Sequence, residues 1–156
     1  MLARSIAVSA GSAVAVCAPV TVQAADTVRF ASDVFVEKFV TAPGGHKSRI
    51  LARADRLSPG DNVIFVVNWI ARRGDQFTVT NPLPRSVAFQ RSVDGTEEVS
   101  VDGGRSWGHL EDLRVRDRDG FIRAASPEDV THLRWRVPGT AALRGSGQLT
   151  YRGVVR

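Results

Sequence analysis

The chain has 156 residues, of which 43% are apolar and 24% are charged, and this composition is typical of one globular domain with its own core. Its 21 Lys and Arg residues exceed its 16 Asp and Glu residues, but they are scattered and form no run longer than Arg72-Arg73. Nucleic-acid interfaces concentrate basic side chains on a recognisable module, so the pattern argues against a nucleic-acid partner.

The N-terminal segment has the organisation of a secretory signal peptide. Arg4 gives a positive start, residues 6–22 carry no charge, and Val22-Gln23-Ala24 offers the side chains that a signal peptidase reads. We therefore expect a signal peptide at residues 1–24 and a single mature domain at residues 25–156. The mature domain is expected to be periplasmic, secreted or at the cell surface.

Two alternatives to cleavage are open. The uncharged stretch 5–25 could be a membrane anchor, but it is weakly hydrophobic and contains Pro19, whereas a spanning helix needs about 20 strongly apolar residues. A lipoprotein would use Cys17, but Val16 stands where a lipobox normally has Gly, Ala or Ser. Cleavage would remove Cys17, the only cysteine, so we expect a mature domain with no thiol chemistry and no membrane span.

The rest of the sequence consists of short strands separated by turns. Residues 63–70 are apolar on nearly both faces, as in a central strand, and residues 77–80 and 132–137 alternate as half-buried strands do. Further strands are predicted at residues 28–30, 34–40, 49–54, 87–91, 97–101, 113–116 and 149–155. This spacing, with Gly and Pro between strands, predicts an all-β sandwich or barrel. The single helical signal, Ser126-Pro127-Glu128-Asp129, has room for one turn.

A family resemblance begins at Leu57. Residues 57–65 have the form L-x-P-G-D-x-V-x-F, and they are followed by Phe77-Thr78-Val79-Thr80-Asn81-Pro82-Leu83-Pro84 and by Val87-Ala88-Phe89. This order resembles the conserved repeat domain of unknown function found in bacterial surface and secreted proteins, although the chain has a single copy. The resemblance implies an immunoglobulin-like antiparallel β-sandwich, here of about 7–9 strands, with a structural or adhesive role and no catalytic residues.

Two turn motifs stand out, and both have structural reasons to exist. In Pro59-Gly60-Asp61 the proline presets φ and the glycine supplies a positive φ. Residues 100–107 match S-x-D-x-G-x-[ST]-W, the Asp-box signature, which resembles a hairpin turn in which Asp102 caps backbone amides and Trp107 packs beneath. One copy cannot make a sialidase-like propeller, so we expect a hairpin and no glycosidase activity. The predicted structural turn residues are Pro59, Gly60, Asp61, Ser100, Asp102, Gly104 and Trp107.

We find no catalytic, cofactor or metal motif in the sequence. The histidines lack metal-ligand spacing, and Asp117-Arg118-Asp119-Gly120 lacks the further ligands of a calcium loop, so it is predicted to be a turn. A P-loop and a dinucleotide fingerprint do not occur in the sequence.

We therefore expect an exported structural or interaction module of unknown partner that is not an enzyme and uses no cofactor. An envelope protein and a glycan are the candidate partners. The alternative is a carbohydrate-binding sandwich or a carboxylate-dependent glycoside hydrolase. The side chains on which this alternative depends are Trp69, Trp107, Trp135, Glu97, Glu98, Glu111 and Asp112. Exposed, coplanar Trp rings would favour the alternative, whereas buried Trp rings and a free edge strand would favour the interaction module. Because Trp is largely buried on average, we expect all three in the core.

Overall fold

A computed structural model of the chain describes residues 21–22, 28–72 and 74–156. The predicted signal peptide, including Cys17, lies outside these residues except for Thr21 and Val22. The strands are β1 (Thr21–Val22), β2 (Val28–Thr41), β3 (Lys47–Arg53), β4 (Asn62–Ala71), β5 (Phe77–Pro82), β6 (Val87–Ser92), β7 (Glu98–Ser100), β8 (Arg114–Arg116), β9 (Ile122–Ala124), β10 (His132–Val137) and β11 (Ser146–Val155). Two 3₁₀ turns, Leu110–Asp112 and Pro127–Asp129, and one short helix, α1 (Gly139–Ala142), complete the described elements.

The strands form two facing antiparallel sheets, which confirms the predicted all-β sandwich. One sheet has the order β1-β5-β10-β7, and the other has the order β3-β2-β4-β11-β6. Eight of these nine strands lie in the predicted mature domain, which agrees with the predicted number of about 7–9, whereas β1 lies in the predicted signal peptide. The strands β8 and β9 form a separate two-stranded hairpin. The edge strands of the larger sheet are β3 and β6.

The hydrophobic core lies between the two sheets. Along β4 the alternate residues Val63, Phe65, Val67 and Trp69 are all buried, because side chains of a strand point to opposite faces in turn. Aromatic rings join the layers: the ring centroids of Trp69 and Phe77 lie 5.2 Å apart, and those of Trp135 and Tyr151 lie 5.8 Å apart.

Several elements differ from the sequence predictions. The two strands predicted at residues 28–30 and 34–40 are the single strand β2, because Ala31, Ser32 and Asp33 pair with β4 through their backbone whatever their side chains. The sequence analysis does not predict β1, β9, α1 or the 3₁₀ turn Leu110–Asp112. The strand β9 has three residues and α1 has four, which is too few for a periodic apolar pattern to identify them.

Candidate functional site

The hairpin made by β2 and β3 extends past the end of the sandwich. Residues 28–36 of β2 pair with β4, whereas residues 35–41 pair with β3, so Lys38–Thr41 have β3 as their strand neighbour and lie beyond the pairing with β4. We call residues 38–53 the hairpin arm. It projects because β4 begins only at Asn62, opposite the middle of β2.

The tip of the arm is a tight turn. The backbone N–H of Ala42 donates to the carbonyl of His46 at 2.8 Å, and the N–H of Gly45 donates to the carbonyl of Ala42 at 3.0 Å. Gly44 and Gly45 have φ values of 109° and 82°, a region that residues with a Cβ rarely adopt. The pair Gly44-Gly45 therefore allows the chain to reverse and return as β3.

Apolar side chains of the arm are exposed on both of its faces. Phe39 is 66% exposed, Val40 41%, Ile50 42% and Leu51 54%. Strand alternation places Phe39 and Leu51 on one face and Val40 and Ile50 on the other. Clustered exposed apolar side chains mark interaction sites, whereas isolated ones are ordinary.

The arm is also basic. Residues 38–54 contain no Asp or Glu but include Arg49, Arg53 and both lysines of the chain, Lys38 and Lys47. Within the described ranges neither lysine forms a salt bridge.

Two acids at the base of the arm partly balance this charge. The carboxylate of Glu37, which is only 7% exposed, lies 3.0 Å from Arg49 and 2.6 Å from Arg152. Asp33 lies 3.1 Å from Arg53. The arginine side chains remain 54% exposed at Arg49 and 76% exposed at Arg53, so both guanidinium groups are accessible from solvent.

The outer edge of β3 offers backbone hydrogen-bonding groups. In an antiparallel pair of strands, every second residue directs its N–H and C=O groups toward the partner strand. The hydrogen bonds from Ala42 N–H to His46 O and from Ala54 N–H to Val34 O show which residues of β3 do so. The residues of β3 that bond to β2 are Ser48, Ile50 and Ala52. The alternate residues of β3 direct their N–H and C=O groups away from β2, and these are Lys47, Arg49, Leu51 and Arg53. In the described part of the chain no strand lies on that side of β3.

The residues of the Pro59-Gly60-Asp61 motif form the turn that precedes β4. Gly60 has a φ of 91°, and the carboxylate of Asp61 accepts the backbone N–H of Ser58 at 2.8 Å. The N–H of Gly60 donates to the carbonyl of Val155 at 2.8 Å, and the N–H of Val155 donates back to the carbonyl of Asp61 at 2.9 Å. This motif ties the start of β4 to the C-terminal strand.

Ser100 to Trp107 form a compact loop closed by the bridge between Val99 and Gly108. One carboxylate oxygen of Asp102 accepts the backbone N–H groups of Arg105 at 3.0 Å and Ser106 at 2.9 Å. The hydroxyl groups of Ser100 and Ser106 also donate to the Asp102 carboxylate, at 2.8 and 2.7 Å. These hydrogen bonds, first of all those from Ser106, hold the pKa of Asp102 well below its usual range.

The glycine and tryptophan of this loop complete its internal bonding. The backbone N–H of Gly104 donates to the hydroxyl of Ser100 at 2.8 Å, and the indole N–H of Trp107 donates to the carbonyl of Gly104 at 3.0 Å. The Trp107 side chain is half-buried, which differs from the core position expected of it. The guanidinium of Arg134 covers its ring at 4.4 Å, so that ring face is occupied.

The other two tryptophans belong to the core, as expected. Trp69 is 5% exposed and Trp135 is 2% exposed. The three tryptophans all lie in described parts of the chain, and no two of them form an exposed, coplanar pair.

The four candidate carboxylates are not gathered into a site. Glu97 accepts a short hydrogen bond from the hydroxyl of Ser92, and Glu98 is paired with Arg134 and Arg136. Partial burial would raise the pKa of Glu98, but hydrogen bonds and charge from the two arginines outweigh it and lower the pKa. Glu111 and Asp112 lie in an exposed 3₁₀ turn instead.

At the turn between β8 and β9, the Asp117 carboxylate accepts backbone N–H groups of Asp119 and Phe121 at 3.0 and 2.8 Å. Residues 117–120 therefore form a turn, as predicted.

An open groove of about 1080 Å³ lies beside β6 and β11, and its lining includes Arg91, Arg152 and Arg156. Arg152 and Arg156 already bind Glu37 and the carbonyl of Glu128, both at 2.6 Å.

Comparison with known protein families, curated proteins and solved structures found no match to this chain. The resemblance of residues 57–89 to a surface-protein repeat therefore stays a prediction.

Across the described ranges, His, Cys, Asp and Glu side chains do not cluster in threes as metal ligands would. None of the described helices has the length and hydropathy that a membrane-crossing helix needs.

The hairpin arm is the candidate functional site, and the sequence interpretation missed it. The available signal was an acid-free segment, residues 38–54, in which apolar and basic side chains flank Pro43-Gly44-Gly45. Its exposure could not be inferred because it depends on where β4 begins opposite β2.

Proposed function

We propose that the chain is an exported interaction module that binds another envelope or extracellular component through the hairpin arm. The observation that carries this proposal is the exposure of Phe39, Val40, Ile50 and Leu51 on a segment that projects beyond the core. Exposed apolar surface of this kind costs free energy in water and is retained where a partner covers it.

The tryptophans support the interaction module over the carbohydrate-binding alternative. A sugar platform needs aromatic faces open to solvent, but Trp69 and Trp135 are buried and Arg134 covers Trp107. A free edge strand, β3, is present in the described sheet, as expected for an interaction module.

The test is arm-dependent capture from the envelope fraction. The tagged wild-type protein, the double variant Phe39→Ser, Leu51→Ser and the control variant Val93→Ser are cross-linked to that fraction and compared. Val93 is 66% exposed and lies outside the arm, so its replacement controls for general loss of exposed apolar surface. We expect the same captured component with the wild type and the control, and its loss with the arm variant. Equal capture by all three proteins would contradict the proposal.

A screen of the purified protein against glycoside, ester and peptide substrates tests the non-enzymatic part of the proposal. We expect no turnover. Activity that disappears when Glu97, Glu98, Glu111 or Asp112 is replaced would overturn it.

A further inference from the structure

Within the described part of the chain, the outer edge of β3 carries backbone groups without a strand partner, and the same residues carry basic side chains. Lys47, Arg49 and Leu51 direct their N–H and C=O groups away from β2, and their side chains share one face of the arm. At Arg53 the carbonyl already accepts the N–H of Asp55 at 3.1 Å, so the open edge runs from Lys47 to Leu51. An added strand would place its own side chains directly across from these residues.

We propose that this edge binds an extended, acidic segment of a partner protein, which adds as a further strand beside β3. Backbone hydrogen bonds would supply affinity, as they do when peptides add to sheet edges. Carboxylates on alternate residues of the segment would lie on the face of the arm that carries Lys47 and Arg49. This inference rests on the proposed function, because it names the class of partner that the arm binds.

Charge argues against a second copy of this chain as the occupant. In an antiparallel β3–β3 pair centred on Ile50, Lys47 of each copy would face Arg53 of the other. Like charges directly opposite one another destabilise a strand pair, and basic residues on edge strands commonly prevent self-association. The same basic residues favour an acidic partner strand.

The order of residues along the arm argues against insertion into a lipid bilayer. His46 and Lys47 lie at the tip, and Phe39, paired with Arg49, lies farther back. A hairpin entering a bilayer tip first would bury the Lys47 ammonium before Phe39 reached the hydrocarbon, and buried charge in a membrane is costly.

The experiment measures binding of a soluble peptide of alternating Glu and Val to the purified protein. The matched controls are the same peptide with Lys in place of Glu and an alternating Glu–Val peptide with a central Pro, which cannot form a continuous strand. Amide hydrogen exchange gives the specific readout. On binding, the N–H groups of Lys47, Arg49 and Leu51 should become protected, whereas those of Ser48 and Ile50 already bond to β2.

Two variants separate backbone pairing from charge. Leu51→Pro removes an outward N–H without removing a bond to β2, so it should abolish binding while Leu51→Ala retains it. Lys47→Glu should weaken binding of the acidic peptide by about tenfold or more and favour the Lys–Val peptide. Lys47 is exposed, so this variant keeps the test valid if Leu51→Pro does not fold.

The outcomes distinguish this inference from the proposed function. Acidic-peptide binding with the alternating protection pattern supports the inference. Failure to bind the peptide, concentration-dependent dimerisation with the same protection, or arm-dependent binding to phosphatidylglycerol vesicles would each overturn it. Arm-dependent capture from the envelope without peptide binding would leave the proposed function standing, whereas capture independent of the arm would contradict that function itself.

Discussion

The side-chain amide of Asn81 donates a 2.6 Å hydrogen bond to the phenolic oxygen of Tyr151 in the centre of the sandwich. Asn81 lies on β5 and Tyr151 on β11, so this bond joins the two sheets. Both residues are buried, and a buried polar group without a partner is expensive. The bond therefore specifies how the two layers align as well as stabilising them.

Tyr151→Phe should destabilise the fold by about 1–3 kcal/mol, because it leaves the Asn81 amide buried without an acceptor. Chemical denaturation at neutral pH measures this loss. The double variant Asn81→Leu, Tyr151→Phe should recover part of it, since neither side chain then has an unsatisfied polar group. An unchanged stability in Tyr151→Phe would contradict the bond.

The stability of the wild type should fall at high pH. Burial raises the pKa of Tyr151 above its ordinary value, so the unfolded chain releases the phenolic proton before the folded chain does. This stabilisation is complete below about pH 10 and is lost as the pH rises above it. Tyr151 is the only tyrosine, so tyrosinate absorbance monitors it alone. The alkaline loss should be smaller in Tyr151→Phe; an identical loss in both proteins would contradict the burial argument.

Asp102→Ala should lower the free energy of unfolding by about 0.5–2 kcal/mol, because the carboxylate caps two backbone amides. This loss is comparable with the loss of a helix N-cap. Its lowered folded pKa stabilises the protein above the unfolded pKa of about 4, and this stabilisation is lost as the pH falls below that value. The cost of Asp102→Ala measured by denaturation should therefore shrink in acid. Asp119→Ala is the control, since it removes an equal charge from another exposed turn. A pH-independent cost would contradict the capping role.

Trp135→Ala should lower the free energy of unfolding more than Trp107→Ala does. Trp135 is 2% exposed and packs on Tyr151, so its truncation should destabilise the fold by about 3–5 kcal/mol. Trp107 is half-buried, so its truncation should cost less than this range. Denaturation of both variants gives the comparison. An unchanged free energy of unfolding in Trp107→Ala would mean that the ring behaves as a surface side chain, and this result would favour the sugar-platform alternative.

Gly147→Ala should destabilise the sandwich by about 1–3 kcal/mol through overpacking. A Cβ at Gly147 would collide with the indole ring of Trp69, which lies directly across on β4. Ser146→Ala, at the exposed neighbouring position, serves as the control and should be near neutral. Thermal unfolding of the two variants measures the difference, and equal unfolding temperatures would show that the ring moves aside without cost.

The exported protein should begin at Ala25 or Asp26, because Val22-Gln23-Ala24 precedes the expected cleavage site. N-terminal sequencing of protein recovered from the periplasm or the medium checks this. Retention of Met1 on a soluble cytoplasmic protein would contradict export.

Local patterns in the sequence predicted most strands of the sandwich correctly. Residues 63–70 and 132–137 show apolar periodicity strong enough to locate β4 and β10 within one residue at each end. β2 was divided in the prediction because Ala31 and Ser32 lack that pattern, and β4 supplies the pairing that keeps the strand continuous.

The candidate site was beyond such local reasoning. Phe39 and Ile50 belong to strand patterns that ordinarily indicate a buried face. Whether they are buried depends on the register between β2 and β4, a relationship between segments distant in the chain. The turn motif at Asp102, by contrast, is closed by neighbours within a few residues, and its geometry was accessible from the sequence.

The restriction of lysine to the hairpin arm has a chemical consequence. Lys38 and Lys47 are the only side chains in the protein that carry a primary amine, and both are exposed. Reagents that acylate amines should therefore modify the arm and the chain terminus alone, and a lysine-specific protease should cut within the arm alone. Coupling the protein to a solid support through its amines would obstruct the arm, whereas coupling through carboxyl groups would leave residues 38–54 untouched.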